Sequence, residues 1–476
     1  MTGIAELPGL LEAQRSAFLA EGVVSAETRI DRLSRAIALL HDHQSRIGEA
    51  IHADFGARSA HQTRMSDVYA TMEALKHARD HVRTWMKPEK RKTGFPLNLL
   101  GAKARVEHVP KGVVGILGTW NFPVNTLFAP LAGVLAAGNR AILKPSELVP
   151  RTGALLDELV RKAFDPKELV CVQGGPELGA AVAGLPLDHV VFTGSTSIGK
   201  KVMRAAAENL VPVTLELGGK SPAFVAPDAD LREAAIRILT GKALNVGQAC
   251  LAPDYVFVPE DRLERFLVEA TAWVATMFPR VLDNPDYSSV IDERHYRRLR
   301  GYLDEARAAG TEVRQVDPAR EDFERQSGTH KIPMTFVVDP KEGLRILEEE
   351  IFGPILIVKP YRDLGDAIRY VRSRPRPLGL YVFSGDEATK RRILDETISG
   401  GVSINDVLVH ASMEDLPFGG VGPSGIGCYH GQDGFRAFSH ARAVYEQTKL
   451  PLQRLAGMVP PYGERADQTL DRIVRE

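Results

Sequence analysis

Residues 111–147 read KGVVGILGTWNFPVNTLFAPLAGVLAAGNRAILKPSE, and the reading of this stretch decides the fold. GVVGILG (112–118) is a short apolar run that ends in glycine. LAGVLAAG (131–138) has helical character and stops at Gly138, and RAILKP (140–145) is a second short apolar run. Strand, helix and strand in that order predict a βαβ unit with parallel strands and a right-handed crossover. No charge falls between Lys111 and Arg140, so a membrane span has to be weighed. Asn121, Pro123, Asn125, Pro130 and the interspersed glycines would leave backbone groups unsatisfied in lipid, so a buried strand, turn and helix is the better reading.

The alternation continues on both sides. Downstream come a helix from about Thr152 to Phe164, strands at LVCVQG (169–174) and HVVFTG (189–194), and a helix at 197–210. From Ser221 the pattern repeats with PAFVAP (222–227), YVFVP (255–259), TFVVD (335–339) and PILIVKPY (354–361). This is an α/β chain with two parallel-sheet domains. Upstream, Ile30, Leu33, Ile37, Leu40, Ile47 and Ile51 give 26–54 one amphipathic helical pattern. A second helical run spans Met65 to Trp85, and Lys90 to Leu100 reads as a connection or exposed hairpin.

At 476 residues, with 44% hydrophobic and 25% charged side chains, the chain suits a multidomain soluble enzyme rather than a small binding module. Sixty basic against sixty-one acidic side chains supply no broad field for nucleic acid or an anionic membrane. The N-terminus lacks a basic region followed by an apolar core, and the tail PPYGERADQTLDRIVRE is too charged to span a bilayer. Cys171, Cys250 and Cys428 are too few and scattered for a disulfide framework. A reducing, cytoplasmic setting is expected.

Four segments carry chemistry. FTGSTSIG (192–199) follows a strand and opens a helix, placing backbone N–H groups toward an anion such as a dinucleotide pyrophosphate. It departs from G-x-G-x-x-G, with Thr196 between Gly194 and Gly199, and an ordinary strand-to-helix turn would read the same way. In LKPSE (143–147), Lys144 and Glu147 would sit at the sheet's carboxyl edge, as phosphate or ribose contacts or as solvated charges. In LELGGKSP (215–222), Glu216 ends an apolar run, so partial desolvation should raise its pKa toward that of a useful base. In NVGQACLAPDY (245–255), Cys250 occupies an uncharged loop of small residues and would need a base or positive dipole to react.

TWNFP (119–123), LKPSE, FTGSTSIG, LELGGKSP, GQACLAPDY (247–255), EEIFGP (349–354) and PFGGVGPSGIG (417–427), in this order, resemble the aldehyde dehydrogenase superfamily over nearly the whole chain. The ending SGIGCYHGQDGFRAFSHAR (424–442) is similar to the class 3 branch. NDVLVHAS (405–412) with PPYG (460–463) is similar to its bacterial coniferyl aldehyde members.

The resemblance implies two Rossmann-type domains with a small bridging element. The expected division is 1–92 with 108–218 for NAD, 219–426 for catalysis, and 93–107 with 427–476 for oligomerisation and tail. It makes Cys250 the nucleophile that forms a thiohemiacetal and then a thioester, Asn121 an oxyanion donor, and Glu216 the base for hydrolysis. It assigns Thr119, Trp120, Lys144, Ser146, Glu147, Gly194, Ser195, Thr196, Gly199, Leu217, Glu350 and Phe352 to the cofactor, NAD with NADP tolerated. No metal is expected. The other partners implied are a small-molecule aldehyde and a second copy, in a homodimer without nucleic acid or membrane. Trp120, Leu251 and NDVLVHAS would line a mainly apolar substrate path. A branch that passes the thioester to CoA needs no residue like Glu216, and a non-catalytic relative would keep only the fold.

Overall fold

The computed structural model describes residues 3–95 and 97–475. Met1, Thr2 and Glu476 lie outside the described residues, as does Pro96 within the expected hairpin. The first strands are β1 (Glu89–Arg91), β2 (Lys103–Pro110), β3 (Val113–Leu117), β4 (Arg140–Lys144), β5 (Leu169–Cys171), β6 (His189–Gly194) and β7 (Val213–Leu217). Next come β8 (Ser221–Val225), β9 (Pro253–Pro259), β10 (Glu312–Gln315), β11 (Thr335–Val338) and β12 (Ile355–Tyr361). The last are β13 (Gly379–Phe383), β14 (Gly401–Ile404), β15 (Gly425–Ile426) and β16 (Ser439–Glu446).

Among the described residues these strands form three sheets. One has the order β15-β7-β6-β3-β4-β5. The chain enters at β3, steps outward to β4 and β5, then returns to the other flank of β3 for β6 and β7. That reversal opens a crevice at the carboxyl ends of β3 and β6, where open α/β sheets take ligands. β3, the helix Asn125–Ala136 and β4 form the expected βαβ unit. Helices cover both faces, so the strands are apolar on both. Val114 and Ile116 pack toward one core, and Val113 and Leu117 toward the other.

The second sheet, β10-β11-β12-β9-β8-β13-β14, is also entered near its middle. Ala223, Val225, Val256 and Val258 face one core, while Phe224, Tyr255 and Phe257 face the other. The third sheet, β1-β2-β16, is antiparallel.

Several expectations shift. The helical run 26–54 is two helices, Ala26–Asp42 and Gln44–Phe55, broken at His43 (φ −116, ψ 16). Hydrophobic periodicity does not register a one-residue break. The run toward Trp85 opens with a π-helical turn, Arg64–Tyr69, a form frequent at functional sites. β2 crosses the 107/108 division, and Gly425 pairs with Glu216 in the first sheet rather than with the second. Among the described residues, no helix is long and apolar enough to cross a membrane.

Candidate active site

A cleft of about 1380 Å³ gathers eleven of the expected residues: Thr119, Trp120, Asn121, Gly194, Ser195, Thr196, Glu216, Leu217, Cys250, Glu350 and Phe352. Lys144, Ser146, Glu147 and Gly199 are not part of its lining. Lys144 is the last residue of β4, Ser146 and Glu147 follow it, and Gly199 lies in the first turn of the helix Thr196–Ala207.

Asn121 sits in the turn between β3 and its crossover helix. That turn is held from below by Arg58 and Asp67, a fully buried ion pair at 3.0 Å that sequence reading missed. Arg58 donates to the Asn121 carbonyl at 2.5 Å, and Asp67 accepts from the Val124 and Asn125 N–H groups. Burial pushes the Asp67 carboxyl up and the Arg58 guanidinium down. Asn121 Nδ2 donates to the Gln248 carbonyl at 3.1 Å, tying this turn to the cysteine loop. Its second N–H is the donor available for an oxyanion.

The cysteine loop is built on three successive residues with positive φ: Asn245 (48), Val246 (48) and Gly247 (77). Only glycine fits at 247, because a Cβ there would strike the Gly353 carbonyl. Gln248 fixes the loop by donating to the carbonyls of Asn245 and Ser289 and accepting from Ile291 N–H. At its far side Tyr381 donates to the Leu251 carbonyl at 2.5 Å. The Cys250 thiol is pushed up to about 12, first by burial, then by Glu350 and Glu216. The Cys250 and Leu251 N–H groups pull the other way. The loop is uncharged in sequence, but the folded protein sets two carboxyls near it.

Glu216 lies on β7, 3% exposed, with both carboxyl oxygens buried and unpartnered among the described residues. Partial desolvation was expected. Burial is nearly complete, and it raises the pKa well above the usual carboxylate range. Glu350 is half-buried, and its carboxyl is lifted to about 8, by desolvation and then by Asp254. Its Oε1 is unpartnered among the described residues, and its carboxyl fills the space a Cβ would need at Gly218.

The β6 turn is arranged as an anion-binding helix start. Ser195 caps the helix by accepting from Ile198 N–H, and the Thr196 hydroxyl donates to the Pro423 carbonyl. A Cβ at Gly199 would come within 2.6 Å of Leu217, so glycine permits the close approach of helix and β7. Lys144 donates to Glu147 at 2.9 Å, and Ser146 Oγ accepts from Leu148 N–H. Trp120 meets Phe352 and His295 edge-on at 5.4 and 5.2 Å. The orphaned Glu350 oxygen and the open β6 turn fit a dinucleotide.

Of the expected path, Trp120, Leu251, Leu408, Val409, Ala411 and Ser412 line the cleft, whereas Asn405, Asp406, Val407 and His410 do not. The cleft lining is mainly apolar, but it also carries a polar flank. Glu73, Lys76, His77, Asp80, His81, Glu414 and His430 also line it. The polar face of the helix Ala70–Trp85 supplies five of these.

Residues 5–444 match the model of the aldehyde dehydrogenase family. A probable coniferyl aldehyde dehydrogenase of Caulobacter vibrioides is 53% identical over 96% of this chain and 94% of its own length. A coniferyl aldehyde dehydrogenase of a Pseudomonas species is 50% identical, over 97% and 95%. A Mycobacterium tuberculosis aldehyde dehydrogenase solved with NAD+ is 27% identical over 94% of this chain and 92% of that chain, with a TM-score of 0.83.

Proposed function

The chain belongs to the aldehyde dehydrogenase family and oxidises an aldehyde with NAD or NADP; from that premise we propose an aryl aldehyde of the coniferyl type as substrate, a Cys250 thioester as intermediate, and Glu216 as the base that resolves it. The observation that carries the mechanism is the convergence of Asn121, Glu216 and Cys250 on one cleft from three separate segments. The relatives named for coniferyl aldehyde support the substrate.

Cys250 sulfur adds to the aldehyde carbon while its proton leaves to water in the cleft. The Cys250 backbone N–H and the free Asn121 N–H steady the oxygen as it gains charge. Gly194, Ser195, Thr196, Lys144, Glu147 and Glu350 would hold the dinucleotide, which supplies the hydride acceptor when bound. Glu216 then takes a proton from water, the resulting hydroxide attacks the thioester, and Cys250 leaves as the acid is released. A carboxyl with no protein partner is free to accept that proton.

Glu147 favours NAD, since a 2′-phosphate near its carboxylate would be repelled. A homodimer in the cytoplasm completes the reading, supported by the class 3 resemblance and by three free, scattered cysteines. The test is kcat/KM across coniferyl aldehyde, octanal and acetaldehyde. Coniferyl aldehyde should lead, and octanal well ahead of it would contradict the substrate.

A further inference from the structure

Glu414, Phe418, Tyr429 and His430 line the same cleft as Cys250, and the chemistry above uses none of them. Phe418 and Tyr429 each donate a backbone N–H to the other's carbonyl at 2.9 Å, which locks their rings together. Tyr429 meets Phe418 edge-on at 5.6 Å, and His430 stacks on Phe418 at 5.1 Å. Burial opposes ionisation of the Tyr429 hydroxyl, and Glu216, Cys250 and Glu414 add to that. The aromatic group therefore lies within electrostatic reach of both the catalytic pair and Glu414.

Glu414 Oε2 and His430 Nδ1 are buried without a hydrogen-bond partner among the described residues. The Glu414 carbonyl packs directly on Gly431, where a Cβ has no room, so the two side chains branch from abutting backbone. Buried polar atoms are normally paired, and leaving two unpaired on side chains that branch from abutting backbone is costly unless a ligand completes them. Burial, then Glu73 and Asp415, lifts Glu414 to about 7. Burial, then His410 and His77, drops His430 to about 4, so its ring is neutral near pH 7.

We propose that Glu414 and His430 form a hydrogen-bonding subsite for the ring hydroxyl of a hydroxylated aryl aldehyde, whose ring lies against Phe418 and Tyr429. This rests on the aryl-aldehyde reading above and says which part of such a substrate the cleft recognises. The phenolic O–H donates to the Glu414 carboxylate, and His430 Nδ1 supplies the second polar contact. An aldehyde without the hydroxyl leaves both atoms unpaired.

The test is the ratio of kcat/KM for coniferyl aldehyde to that for its O-methylated analogue and for cinnamaldehyde, measured within each variant so that the active fraction cancels. The wild type should favour the free phenol by roughly tenfold or more. Glu414→Leu and His430→Phe should each carry the ratio toward one, and Glu414→Gln, which keeps an acceptor, should fall less. A ratio unchanged in both Glu414→Leu and His430→Phe overturns the subsite, as does a wild type that oxidises all three equally. A wild type that oxidises aliphatic aldehydes and none of the three overturns the substrate reading itself.

Discussion

At the scale of single residues, Cys250 starts as a thiol rather than a thiolate, because burial and two neighbouring carboxyls hold its proton. Attack is therefore coupled to proton loss, and serine, far less acidic, cannot follow the same route. Cys250→Ser should lose turnover while retaining NAD binding by fluorescence titration. Retention of more than about a tenth of wild-type kcat, a loss under ~1.4 kcal/mol, would remove Cys250 as nucleophile. The carboxyls make a second prediction. Glu350 raises the Cys250 pKa, and removing its charge should lower it. Alkylation of the cofactor-free protein by iodoacetamide should be slow at pH 7 and rise with pH. Glu350→Gln should shift that rise to lower pH; a shift upward or none at all would mean that the two groups do not interact.

At the scale of elements, the site depends on turns held by groups remote in sequence. Arg58 and Asp67 precede the Asn121 turn by more than fifty residues and clamp it from a buried pair. Removing one partner leaves a buried charge, so Asp67→Ala should cost about 3–5 kcal/mol in urea unfolding. A loss below about 1 kcal/mol would show the turn to be held by other contacts. These two residues also mark what sequence could not reveal. GVVGILG, RAILKP and HVVFTG announce themselves as strands through local apolar runs, and Cys250, Glu216 and Asn121 through motifs that persist in order. Arg58 and Asp67 have no local signature, since each gains meaning only once the chain has folded on the Asn121 turn. The same holds for Glu414 and His430, and for Gly425, whose pairing with Glu216 joins segments about two hundred residues apart. The break at His43 escaped because the two helices keep one apolar stripe across it.

At the scale of the whole molecule, two long sheets meet at one cleft while the third, β1-β2-β16, stands apart with β16 as an edge strand. An unpaired strand edge is a ready template for a second chain. Light scattering should give about twice 52.1 kDa. A monomer, or a mass near four chains, would contradict the homodimer. The central claim is that Glu216 resolves an acyl group carried on Cys250. It is tested most directly by mixing Glu216→Gln with NAD and coniferyl aldehyde and weighing the intact protein within the first turnovers. The account predicts that most chains gain one coniferyl-derived acyl group, mapped by digestion to Cys250 and accompanied by about one NADH per chain. NADH forming steadily over unmodified protein, or an acyl group on any other residue, would contradict it.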